Sequence, residues 1–272
     1  MEVFVYHGAP KKLTKVLCET LPDYSYGYFQ KLLRKGDVKI NAVRVKTDAT
    51  ISDGDEVTVY CNPPVFEPEK IFENDYIYIF NNFSGITSER FADKIKALYP
   101  DAVLCHRLDT NTIGLLIFAK GEQNFEAIKD VFSRHLIEKH YYAEVFGAFP
   151  KSAEYEDFME KDCEKGVVKI FNNPAKARLK MVTICRLLRS DGVISCLDVE
   201  PVTGRTHQIR AHLAYHGFPI VGDGKYGDER KNRAYRTHVQ HLCAYKIVFH
   251  CGDTVVLSGM DGLTVEIPFP KF

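Results

Sequence analysis

Four segments of the chain gather side chains able to do chemistry. Cys105-His106-Arg107-Leu108-Asp109-Thr110-Asn111-Thr112-Ile113-Gly114-Leu115-Leu116 places an acid, a base and a cation between His106 and Asp109, immediately before an apolar run. A polar turn entering a buried strand is where a rigid scaffold presents reactive groups. Asp109-Thr110-Asn111-Thr112 is also ordinary turn chemistry, and local spacing alone favours that reading. Lys139-His140-Tyr141-Tyr142-Ala143-Glu144-Val145 alternates as a strand, with Lys139, Tyr141 and Ala143 on one face. A tyrosine there can stack on a base or pack in a core, and the pattern leaves both open.

The third segment, Thr203-Gly204-Arg205-Thr206-His207-Gln208-Ile209-Arg210-Ala211-His212-Leu213, reads as a turn at Gly204 leading into a helix over about 206–215 that buries Ile209 and Leu213. Arg205 then stands at the strand-to-helix junction, able to reach into a cleft. His207, His212 and His216 raise the question of a metal helix. No Glu occupies the position a metalloprotease helix needs and no carboxylate run is nearby, so packed or solvated histidines are the reading taken. The fourth segment, Pro219-Ile220-Val221-Gly222-Asp223-Gly224-Lys225-Tyr226-Gly227, lacks the Gly-Lys-Ser/Thr of a phosphate loop and the strand-to-helix setting of a dinucleotide fingerprint. It reads as a tight surface loop.

The elements that must position these groups fall into two parts. Leu13, Val16 and Leu17 have helical spacing, and after Pro22 a second helix sets Phe29, Leu32 and Leu33 against Lys31, Arg34 and Lys35, with Gly36 as its stop. Strands follow at 38–41, 43–46 and 56–60. Pro63, Pro64 and Pro68 then stiffen a linker. Beyond it, strands are expected at 76–80, 114–119, 140–146, 180–187 and 193–199 and in an alternating tail to Pro268, interrupted by two helical stretches, about 124–135 and 206–215. The pattern predicts an α+β domain on an antiparallel sheet.

Composition sets the outer bounds. The chain has 272 residues, 45% hydrophobic and 26% charged, which is ordinary for a globular protein and excludes wholesale disorder. The opening residues lack a basic start and long apolar run, and Leu115 to Ala119 is too short to cross a bilayer, so a cytoplasmic protein is expected. Eight cysteines without a Cys-x-x-Cys pair read as reduced, packed thiols. Lys+Arg and Asp+Glu balance at 36 each. Locally, Lys31, Arg34, Lys35, Lys39, Arg44 and Lys46 face a single acid, Asp37, and 205–246 carries eight basic residues against three acids. Either stretch is a solvated face or a surface for a polyanion.

Taken in order, His-Arg-Leu-Asp-x-x-Thr-x-Gly-Leu at 106–115, Lys-x-Tyr-x-Ala at 139–143, Gly-Arg-Thr-His-Gln-Ile-Arg-x-His at 204–212 and Gly-Asp-x-x-Tyr-Gly at 222–227 resemble the pseudouridine synthases of the RluA type. Lys-Gly-Asp-Val-Lys-Ile-Asn at 35–41 is similar to the α-L RNA-binding domain often joined to them. Two departures are Ile113, where the family commonly has Ser, and Asn82-Phe83-Ser84-Gly85, where it usually has Lys-Pro-x-Gly.

The resemblance implies an α+β pseudouridine synthase fold, with a mixed, mainly antiparallel sheet and flanking helices, over 71–272. It also implies a Pro-rich linker over 62–70 and a small N-terminal α/β RNA-binding module over 1–61. The implied reaction cleaves the uracil N1 to ribose C1′ bond, turns the base and joins C5 to the sugar. In that scheme Asp109 is the catalytic carboxylate, as base on the ribose or as nucleophile. Arg205 keeps it ionised and aimed, and Tyr141 stacks on the uracil and helps remove the C5 proton. Arg107 fills the gap left by the extruded nucleotide, and His106, Lys139 and Arg210 contact substrate. Lys31, Arg34, Lys35, Lys39 and Arg44 would bind RNA phosphates. No metal or organic cofactor is implied. The partner is RNA, large-subunit ribosomal RNA first and tRNA next, handled by a monomer. Two other classes stay open: a non-catalytic RNA-binding protein, which has no need of Asp109, Tyr141 and Arg205 together, and a chelator-sensitive hydrolase built on His207, His212 and His216.

Overall fold

A computed structural model describes residues 1–21, 24, 26–61, 67–162, 166–175, 178–252 and 255–272. The chain divides into two compact units, Met1–Glu67 and Pro68–Phe272. Positions 62–66 of the expected linker, and Pro22 before it, lie outside the described residues.

The first unit runs β1 (Glu2–Val5), β2 (Lys11–Lys12), α1 (Leu13–Thr20), α2 (Tyr26–Lys35), β3 (Val38–Ile40), β4 (Val43–Val45), β5 (Thr50–Ile51) and β6 (Glu56–Val59). Its sheet has the order β1-β6-β3-β4, and β2 pairs with β5. Leu13, Val16 and Leu17 of α1 and Phe29, Leu32 and Leu33 of α2 close a core with Val38, Ile51, Val57 and Val59. Gly36, at φ +74°, ends α2: its N–H donates to Leu33 O and that of Asp37 to Leu32 O, a crossed pair that satisfies the last carbonyls. The opening strand β1 was not expected. Its burial does not alternate, because it lies at the edge of the sheet.

The second unit contains β7 (Glu69–Glu73), β8 (Ile77–Asn82), α3 (Ser88–Leu98), β9 (Ala102–Leu104), β10 (Ile113–Lys120), α4 (Gly121–Ser133), β11 (Ile137–Phe146), β12 (Ser152–Asp162), β13 (Val167–Phe171), β14 (Leu179–Ser190), β15 (Ile194–Pro201), α5 (Gln208–Tyr215), α6 (Glu229–Ala234), β16 (Leu242–Phe249) and β17 (Thr264–Glu266). One large sheet has the order β13-β12-β14-β15-β11-β16-β10-β8-β7. Among the described residues every pairing in it is antiparallel except β10 with β16. This is the α+β, mainly antiparallel architecture expected.

Strand β10 is apolar from Ile113 to Ala119 because it is covered on both sides. Leu115 and Ile117 pack with Ile128 and Val131 of α4. On the alternate face, Phe118 meets Phe80 at 5.5 Å and Phe91 of α3 at 6.2 Å. The expectation of two helical stretches in this unit is corrected by α3 and α6. Thr87 caps α3, its hydroxyl accepting from Arg90 N, and Phe91 and Ile95 form a buried stripe one turn apart. That stripe is too sparse among polar residues to stand out by periodicity.

Candidate active site

Asp109 sits where the chain turns from β9 toward β10, and the turn is tied down at several points. Thr112 N–H donates to Asp109 O, closing it. Ser88 Oγ accepts from Leu108 N at 2.8 Å and bonds Leu108 O at 3.1 Å. Gly85 N–H donates to Thr110 O, and Gln240 Nε2 donates to Thr112 Oγ1. The turn then enters β10 through Gly114, which has φ +114° and lies against β16. A Cβ there would stand 2.2 Å from Ala244 O, so only glycine fits. Asp109 is thus a turn residue, as spacing suggested, and it is held rigidly.

Its partner differs from the one expected. Arg205 precedes α5, is exposed, and donates through Nε to Lys180 O at 3.3 Å. Arg210, inside the helix, donates through Nη1 to Asp109 Oδ2 at 2.8 Å. The same guanidinium grips Asp223 in a fork, Nε to Oδ2 at 2.7 Å and Nη2 to Oδ1 at 3.0 Å. The Asp223 side chain is fully buried and also accepts from the N–H groups of Lys225 and Tyr226. Burial works against charge on Arg210, but Asp223 and then Asp109 outweigh it and raise its pKa. Burial likewise opposes ionisation of Asp223, and Arg210 outweighs it, so its pKa is lowered. Arg210 was expected to touch substrate; it lines the cleft, and one N–H each from its Nε, Nη1 and Nη2 goes to Asp223 or Asp109.

Tyr141 enters the site from β11, at a register shift between His140 and Tyr141 in the pairing with β16. Such an irregularity re-aims a side chain. Burial, and then the charge of Asp109, push the phenol pKa up, so it is neutral. Lys139 lines the same cleft with its ammonium 5.4 Å from the Phe132 ring, and burial lowers its pKa.

His106 was expected to contact substrate, and the structure gives it another task. Its Nε2 accepts from Ile117 N at 3.2 Å, tying the turn to β10. Burial first, and the nearby charge of Lys139 second, bring its pKa down to about 3. An unfolded imidazole titrates near 6.5, so between these values the unfolded chain binds more protons and stability falls as pH falls. The loss from this residue is at most about 1.4 kcal/mol per pH unit. His106→Gln, whose amide oxygen can still accept from Ile117, is therefore expected to lose less stability than the parent between pH 7 and pH 5. Equal losses in urea titrations of the two proteins would show that His106 is not the source.

Residues that sequence reasoning left as loop or helix filler complete the site. His207 is left-handed, at φ 52°, just before α5, and its Nδ1 lies 2.8 Å from Tyr226 Oη. Tyr226 Oη accepts from Val168 N, so its own proton is available to His207 Nδ1. Burial holds the imidazole neutral, leaving Nε2–H as a donor in a residue that lines the cleft. The signal that could have found Asp223 and Tyr226 was present in Gly222-Asp223-Gly224-Lys225-Tyr226-Gly227, which local spacing read as a surface loop and the resemblance counted as a family segment without giving either residue a role.

The cleft has a volume of about 1230 Å³. Asp109, Tyr141, His207 and Arg210 line it, with Arg107, Lys139, Lys161, Arg205 and Lys225 among the surrounding cations. Arg107 is exposed and pairs with Glu89 at 2.6 Å. In the first unit, Lys31, Arg34, Lys35 and Arg44 are exposed and Lys39 is half-buried over the Tyr60 ring. Lys39 and Arg44 are directly opposed on β3 and β4, a like-charge pair that favours an anion between them.

Buried ion pairs add little net stability over apolar packing, and one that ends on a half-buried carboxylate in an open cleft marks the second unit as an enzyme. Comparison with known proteins narrows the class. The family model for RNA pseudouridylate synthase matches residues 87–215. Ribosomal large subunit pseudouridine synthase C of Vibrio vulnificus is 28% identical over 255 residues, covering 82% of this chain and 78% of that protein. The mitochondrial tRNA pseudouridine(32) synthase of Saccharomyces cerevisiae is 32% identical over 238 residues, covering 80% of this chain and 51% of that protein. The solved structure of human RNA Pseudouridylate Synthase Domain Containing 1 shares the fold, with a TM-score of 0.62 at 20% identity over 75% of this chain and 84% of that one. The chain belongs to the RNA pseudouridylate synthases of the RluA type, enzymes that isomerise uridine in RNA.

Proposed function

We propose that the chain converts uridine to pseudouridine in large-subunit ribosomal RNA, with the Asp109 carboxylate as the reacting group. The observation that carries this is the placement of Asp109, aimed by Arg210 and beside the neutral phenol of Tyr141, in a cleft rimmed with cations. Base on the ribose and nucleophile are both roles that need the anion. Tyr141 is positioned to stack on the uracil. Its raised pKa suits a hydroxyl that relays a proton rather than one that ionises to take it. Arg107, exposed and paired with an exposed glutamate, is placed to enter the gap left by an extruded nucleotide, a step that costs a few kcal/mol and least in a loop. The protein is taken to act as a monomer in the cytosol. Among the described residues no helix is long and apolar enough to cross a membrane.

The test is release of tritium from large-subunit RNA labelled at uridine C5, with modification mapping in cells that lack the protein. Absence of release would sink the reaction, and an unchanged ribosomal map would sink the substrate. Tyr141→Phe keeps the stacking ring and loses the hydroxyl, so label release is expected to slow by about 100-fold or more at unchanged RNA affinity. A variant that releases label at the parent rate would leave the hydroxyl without a part in the reaction.

The first unit, with its own core and the basic residues Lys31, Arg34, Lys35, Lys39 and Arg44, is assigned to phosphate binding. Deleting residues 1–61 is expected to weaken RNA binding and to flatten its salt dependence, by about 0.7 to 0.9 in log–log slope for each phosphate left unneutralised. Isomerisation of short substrates should persist. An unchanged slope would remove the unit from RNA binding.

A further inference from the structure

Helix α5 carries a second constellation that does not line the cleft. His212 and His216 are one turn apart, and both Nε2 atoms converge on a single oxygen of Asp157 from β12, at 3.0 Å and 2.6 Å. A metal helix was discounted from sequence for want of a carboxylate; the fold supplies one from 55 residues away. Asp157 is 4% exposed, and its ion-pair partners among the described residues are these two imidazoles alone. A carboxylate so buried needs hydrogen-bond donors, a countercharge or a metal ion to offset its lost hydration. We propose that Asp157, His212 and His216 form a structural site for a divalent transition-metal ion of the zinc class, with water completing a tetrahedral shell.

Three features favour an ion over a mere hydrogen-bonded trio. The three donor atoms lie within 4.8 Å of one another. Donors around tetrahedral zinc stand about 3.3 Å apart, given bonds of about 2.0 to 2.1 Å, so the His212 and His216 contacts to Asp157 need to open by about 0.3 and 0.7 Å. The second shell is already built. His212 Nδ1 lies 2.9 Å from Thr183 Oγ1, a hydroxyl fixed in turn by Gln208 Nε2 at 3.0 Å, so Nδ1 can carry the proton and leave the Nε2 lone pair for the metal. The His216 ring is clamped by Tyr155, stacked at 3.8 Å and 7°, and is 27% exposed, which gives an ion a path in. An ion there would pin α5, the helix that aims Arg210, to β12 and β14.

The full-length protein, stripped of metal, should bind one equivalent of Co²⁺ with visible d–d absorption of a tetrahedral site, and Zn²⁺ should displace the Co²⁺ and raise the melting temperature by several degrees. Both responses should vanish in His216→Ala and in Asp157→Asn; using two variants guards against one that fails to fold, and circular dichroism identifies it. Absence of the band in the parent, or a Zn²⁺ response absent there, overturns the proposal. A band retained by either folded variant also overturns it, because the ion then sits elsewhere, for example at Glu138, His140 and Glu200.

Discussion

Asp109→Asn is expected to reduce tritium release from C5-labelled RNA by at least about 1,000-fold, while folding and RNA affinity stay at parent values. The expectation follows from what the substitution leaves intact. An asparagine oxygen can still accept from Arg210 Nη1, and Arg210 keeps its fork on the buried Asp223. The turn itself is held by backbone bonds and by Ser88, Gly85 and Gln240, none of which uses the Asp109 carboxylate. What disappears is the anion, which both candidate roles require. Single-turnover release measured with enzyme in excess of RNA separates the chemical step from binding. Release at the parent rate from the Asp109→Asn variant would show that another group carries the reaction.

How the sequence foretold this site depends on the range of the contacts. The turn at Asp109 and the strand after it were legible because both signals are local: polar turn chemistry followed by an apolar run whose residues are buried on both faces. The contact of Arg210 with Asp109 was not foreseen because it spans 101 residues and turns on helix phase. The helix was expected from about 206 with Arg205 at its junction, whereas His207 adopts a left-handed conformation, α5 begins at Gln208, and Arg205 turns to Lys180 O. A non-glycine left-handed residue has no reliable mark in a sequence. The same blindness hid Asp157, which reaches His212 and His216 from 55 and 59 residues away. Strands β12 and β13 were missed for another reason. They lie at one end of the sheet, and in β12 the polar Asp157 takes a buried position, so the apolar alternation that reveals a strand is interrupted. The family resemblance identified which polar clusters mattered, and the fold decided which residues in them touch.

Replacing Arg210 should have the second large effect, and it separates positioning from stability. Arg210→Met leaves Asp223 buried with its countercharge gone. Removing one partner of a buried pair costs about 3 to 5 kcal/mol, so a large fall in urea midpoint is expected together with loss of isomerisation. Neither result alone shows that the arginine serves Asp109. Adding Asp223→Asn removes the stranded charge, while the asparagine oxygen can still accept from Lys225 and Tyr226 N–H. The double variant should therefore recover much of the stability and stay inactive, because nothing holds the Asp109 carboxylate toward the substrate. Arg205→Ala is the matched control: an exposed side chain with one backbone acceptor should cost no more than about 0.5 kcal/mol. If the double variant regained activity along with stability, the Arg210 contact to Asp109 would be scaffolding only, and the aim of the carboxylate would have to come from its turn.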